Sequence, residues 1–200
     1  MKRLGTLRIL EGLADRFLPA LFWMLLIFGF DDPCIGTITV IAAAIHELGH
    51  TVALLILGRT AKLPEGRLRG LKIRVDTCSY TDMLIILSSG PLANILVSLF
   101  LLPLSGDSPY LKTVILINLA TALSNLIPTE GYDGYGFIKC LLEERENAGG
   151  IRLLMKISFI TSVALTFTAL YLLSRFNIGY WLFGLFFTII LVKMKENLST

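Results

Sequence analysis

The chain has 200 residues, of which 54% are hydrophobic and only 16% charged, and its mean hydropathy is +0.73. That composition excludes an ordinary soluble globule and describes a polytopic membrane protein. A formal net charge of +3 is too small to point to nucleic acid. Cys34, Cys78 and Cys140 are isolated, with no CxxC pair, so they read as reduced buried or interfacial residues rather than as a disulfide framework or thiolate site.

The amino terminus is basic, with Lys2, Arg3 and Arg8, and Glu11, Asp15 and Arg16 follow before the first apolar stretch. This late start, with no small-residue cleavage site behind it, favours a retained span over a removed signal peptide. Apolar segments then lie at about 17–30, 35–58, 82–104, 110–127, 153–173 and 178–192. The expected architecture is therefore an all-α polytopic membrane protein of about six transmembrane helices, in which the short first and last spans need a tilted neighbour or local bilayer thinning. One membrane-embedded domain over 1–200 is expected, without a soluble appendage.

Orientation follows from the lysines and arginines. Sixteen of the eighteen fall in the first tail, the 59–74 loop, the connection running from Lys139 to Lys156, and the last tail. Lys112 and Arg175 fall on the other side. Basic connections stay cytoplasmic, so both termini are expected inside a cell membrane. An anionic-lipid or partner patch is the alternative reading of the 59–74 loop, but the sorting signal explains it without further assumptions. Within it, Leu71-Lys-Ile-Arg-Val-Asp76 alternates apolar and charged residues after Gly66 and Gly70, which predicts a short β-hairpin at the membrane surface between helices 2 and 3. A free edge of such a hairpin can pair with an extended peptide, or carry no partner at all.

The second span carries the only two histidines, in His46-Glu-Leu-Gly-His50. Four residues apart on a helix, both imidazoles project from one face and can share a zinc ion, and Glu47 beside them suits a general base that takes a proton from water and returns it to a leaving amine. Two imidazoles and a carboxylate are costly in hydrocarbon and are kept there mostly for function, although a packing role or a chance match is the bland alternative. The third span holds Gly90-Pro-Leu-Ala-Asn94, where Gly90 and Pro91 are expected to interrupt the helix and Asn94 offers a donor and an acceptor. The fourth ends in Asn125-Leu-Ile-Pro128 and continues to Asp133-Gly134. Broken backbone at membrane depth is tolerated where it lines an enclosed or wet cavity. A catalytic zinc needs a third protein ligand, and Asp133 is the natural candidate. Glu130 and Asp82 are rivals, and Asp133 in an Asp-Gly pair also reads simply as a turn former.

Taken together, these three motifs, in successive apolar spans, resemble the site-2 protease family of intramembrane zinc metalloproteases, and the resemblance covers roughly the core 35–140. It implies His46, His50 and Asp133 as ligands of one catalytic Zn2+, Glu47 as general base and acid, and Asn94 and Asn125 as residues that hold the substrate backbone or stabilise the developing oxyanion. The 71–76 strand is similar to the family's substrate-receiving sheet. Thr129, Glu130, Gly131 and Tyr132 replace the family's usual further prolines and apolar residues. The short length resembles the bacterial and archaeal branch that includes the sporulation pro-sigma-factor processing enzyme, and no segment is available for a PDZ or CBS module.

The expected activity is hydrolysis of a peptide bond in or near a transmembrane segment of another membrane protein. Expected partners are that substrate and the bilayer, with a regulatory membrane protein or a second copy of the chain beyond them, and no nucleic acid. Two other classes stand beside this one: an inactive relative that binds membrane proteins without cutting them, and a metal-binding membrane transporter. The retained Glu47 and the full ligand set speak against both.

Overall fold

The computed structural model describes residues 32–59, 61–62, 74–75 and 79–176. They form five α-helices: α1 (Pro33–Ile56), α2 (Tyr80–Leu101), α3 (Pro109–Asn125), α4 (Asp133–Glu144) and α5 (Ala148–Phe176). The expected spans at 17–30 and 178–192 lie outside the described residues. Ala61 and Lys62 pair antiparallel with Val75 and Arg74, while residues 63–73 and 76 of the expected hairpin region are not described.

Helices α1, α2 and α3 each start where the sequence supplies a side-chain cap. Asp32 accepts hydrogen bonds from the Cys34 and Ile35 amides at 2.7 and 3.3 Å, with Pro33 in the first turn. Ser79 receives the Asp82 amide at 3.1 Å, and Ser108 receives the Leu111 amide at 3.4 Å ahead of Pro109. Helix α1 stops at Gly58, whose φ of +61° suits glycine, and the amides of Gly58 and Arg59 turn back onto the Leu55 and Leu54 carbonyls. Arg59 then grips Asp82, Nε and Nη2 both donating to Oδ2 at 3.0 and 2.6 Å, which fastens the end of α1 to the start of α2.

Helices α1, α2 and α3 pack against one another, α4 packs on α2, and α5 packs on α4. Small residues set the approach of α1 and α2. A Cβ at Gly49 would lie 2.5 Å from the Ser89 carbonyl oxygen and 2.9 Å from the Ala93 Cβ, so only glycine permits this spacing. The expected break at Gly90-Pro91 does not occur, and α2 runs through Pro91 without interruption. A proline removes one ladder bond, and in a packed apolar segment that single loss costs less than unwinding a turn.

Polar and apolar residues are distributed inside out. His46, His50, Asn94, Ser98, Asn118, Thr129, Ser158 and Ser162 are buried, whereas Leu55, Ile56, Phe100, Leu116, Leu123 and Phe167 are each at least 65% exposed. Water would penalise such an exterior and hydrocarbon would not. Among the described residues α1, α2 with its following turn, and α5 are long and apolar enough to cross a membrane. The chain is a helical membrane protein.

Candidate metal centre

The interior of the bundle is built around His46 and His50. Both are 6% exposed, with their rings edge to face and their Nε2 atoms 3.1 Å apart. Asp133, the first residue of α4, brings its Oδ2 to 2.9 Å from His46 Nε2 and 3.2 Å from His50 Nε2. These three atoms form a nearly equilateral triangle.

The hydrogen bonds behind the rings fix what the triangle is made of. His50 Nδ1 lies 2.7 Å from the Ile86 carbonyl oxygen, which can only accept, so Nδ1 carries the hydrogen. The His46 side needs one step more. Asn94 Nδ2 donates to the Ala42 carbonyl at 2.9 Å and to Asn118 Oδ1 at 2.9 Å, which fixes the amide and leaves Oδ1 to receive His46 Nδ1–H at 3.1 Å. Asn118 is held in turn by its Nδ2 donating to the Val114 carbonyl at 2.9 Å. With Nδ1 as the protonated nitrogen of each neutral tautomer, a neutral ring presents a bare lone pair from Nε2.

Two nitrogen lone pairs and a carboxylate oxygen therefore face one another within about 3 Å, the spacing at which they repel unless a cation lies among them. Asp133 Oδ2 is buried and receives no hydrogen bond. Gly90 leaves the space: a Cβ there would come within 2.5 Å of His50 Nε2 and 2.7 Å of His46 Nε2. Bare donors, an orphaned carboxylate oxygen and a cradle that one methyl group would fill all fit a divalent metal ion.

The loop between α3 and α4 delivers Asp133. Its two ends touch, since a Cβ at Gly134 would collide with the Leu126 carbonyl. At its tip the Tyr132 amide donates to the Thr129 carbonyl at 3.1 Å, closing a turn whose third residue, Gly131, has φ +102°. The loop folds back on the bundle, and α4 starts at Asp133 itself. A helix N-terminus also favours the Asp133 carboxylate.

The other residues singled out in the sequence are placed as follows. Glu47 is exposed beside the pair, and among the described residues its side chain has no hydrogen-bond or ion-pair partner. Asn94 is fully buried behind His46, and its two amide hydrogens are both engaged. Asn125 Nδ2 donates to the Thr121 carbonyl of its own helix at 2.9 Å. Asp82 is joined to Arg59, and the Glu130 amide turns to α5. Asn118 went unremarked in the sequence, although an asparagine amid apolar helical residues was its signal.

Comparison with known proteins returns the same fold. The chain superposes on the Site-2 Protease from Methanocaldococcus jannaschii with a TM-score of 0.63, at 22% sequence identity, covering 87% of this chain and 85% of that one. No family model and no curated protein matches the chain.

Proposed function

We propose that the chain is a member of the site-2 protease family and acts as an intramembrane zinc metalloendopeptidase, cutting a peptide bond in or near a transmembrane segment of another membrane protein. The observation that carries this reading is the buried triangle of His46 Nε2, His50 Nε2 and Asp133 Oδ2, lone pairs facing inward, inside a helix bundle with an apolar exterior. The shared fold and the order of motifs support it.

His46, His50 and Asp133 would hold the ion. When bound, zinc supplies Lewis acidity, polarising a carbonyl oxygen and making water a better nucleophile. Glu47, whose side chain has no hydrogen-bond or ion-pair partner among the described residues, takes a proton from the attacking water and returns it to the amine that leaves. Asn94 departs from the role its motif implied. With every polar atom of its amide engaged by protein, it serves the site by fixing the tautomer and orientation of His46, with Asn118 behind it. Asn125 remains the residue offered to the substrate backbone. A helical substrate hides its carbonyls and must open locally, so glycine or polar residues near the scissile bond favour cleavage. The distribution of lysine and arginine among the connections supports termini, and a side from which water arrives, that lie in the cytoplasm.

The direct test is cleavage of a single-span substrate by the purified full chain in liposomes. A strong chelator should stop the reaction and zinc should restore it, whereas cleavage that proceeds unchanged through chelation would contradict a zinc site. A second expectation concerns Asn94→Leu. It strands the His46 Nδ1 hydrogen and should weaken zinc binding roughly 10- to 100-fold in competition with a coloured chelator.

The transporter reading lacks an observation of its own, since neither Glu47 beside the histidine pair nor the folded-back loop is needed for it.

A further inference from the structure

Helix α5 takes no part in the metal triangle, yet its inward face is hydroxylated where a membrane helix would ordinarily be apolar. Ser158 and Ser162 are 1% and 0% exposed, and Thr161 lies between them. Ser162 Oγ donates to the Ser158 carbonyl of its own helix at 2.7 Å. Ser158 and Thr161 both reach the loop that carries Asp133.

The Glu130 amide donates to Ser158 Oγ at 2.8 Å. Thr129 Oγ1 lies 2.7 Å from Thr161 Oγ1. Thr161 gives its own hydrogen to the Ile157 and Ser158 carbonyls at 3.0 and 3.1 Å, so Thr129 is the donor in that contact. Both bonds fall in the turn from Thr129 to Tyr132, immediately before Asp133. Thr129 is fully buried. An unpaired amide or hydroxyl here would have no water to turn to.

We propose that Ser158 and Thr161 of α5 are positioning residues for the third metal ligand. They clamp the turn at Thr129 and Glu130, while the Gly134–Leu126 contact closes the base of the loop, and the two anchors together fix Asp133 against the histidines. The turn from Thr129 to Tyr132 contains no proline, so its stiffness comes from these two polar bonds. The clamp rests on the zinc-protease reading above, and it makes α5 a determinant of metal affinity without contact to the metal.

Cobalt titration of the purified full chain tests it, with affinity read from visible d–d absorption. Ser158→Ala, Thr161→Val and the double variant remove the hydroxyls with little change of shape; Thr161→Ser keeps one, and Thr168→Val alters a hydroxyl that, among the described residues, bonds its own helix at the Ala164 carbonyl. The double variant should bind Co2+ roughly 10- to 100-fold more weakly, with each single variant between it and the wild type. Thr161→Ser and Thr168→Val should match the wild type. A general packing role would lower the melting temperature and leave Co2+ affinity alone. Wild-type affinity in both single variants and the double overturns the clamp and leaves the zinc reading standing; a wild-type chain that binds no Co2+ overturns both.

Discussion

Replacing Glu47 by glutamine should lower cleavage of a single-span substrate by roughly 10²- to 10⁴-fold, the span attributed to a positioned general base, while leaving zinc in place. Glutamine has the same shape and hydrogen-bonding reach but cannot take up a proton. Glu47 is not part of the triangle and has no partner among the described residues, so its loss disturbs no structural contact. Co-expression with the substrate, followed by its change in size, reads the result. Cleavage that survives the substitution would remove Glu47 from the chemistry and with it the proposed mechanism.

Gly90→Ala should empty the metal site, weakening zinc by more than about 100-fold, beyond what orienting residues contribute. Alanine is the better helix former by about 1 kcal/mol, so α2 itself gains. The harm is local: the added Cβ would lie 2.5 Å from His50 Nε2 and 2.7 Å from His46 Nε2, in space that a metal or its open coordination position needs. Gly149→Ala is the control, since its Cβ would meet nothing nearer than Asn147 Oδ1 at 3.5 Å. Zinc content equal to wild type in Gly90→Ala would show that the cradle is not where the ion binds.

The His46–His50 pair was legible because its spacing is a property of one helix, independent of tertiary structure. Asp133 was legible as a candidate only, because its approach depends on a loop that folds back, and the sequence showed its glycines without showing which backbone each one admits. Gly134 admits the Leu126 carbonyl, and Gly136 packs against Leu87. Both glycines lie in the first turn of α4, a helix outside every apolar segment read from the sequence. Pro91 misled in the same direction: local propensity argued for a break that packing on both sides overrode.

Asn94 shows a different limit. A donor and acceptor in hydrocarbon announces a polar task, yet whether it faces substrate or a histidine depends on the neighbours, and Ala42 and Asn118 decide that. The hydroxyls of α5 carried no signal alone, because serine and threonine usually bond their own helix, as Ser162 and Thr168 do here. Their partners, Thr129 and Glu130, were the residues that departed from the resembling family.

The measurement closest to the central claim is elemental analysis of the purified full chain and its ligand variants. Wild type, Glu47→Gln and Glu130→Ala should each carry a single zinc ion per chain, and His50→Ala and Asp133→Ala should carry none. A wild type without metal, or an Asp133→Ala chain that keeps its zinc while Glu130→Ala loses it, would contradict the site described.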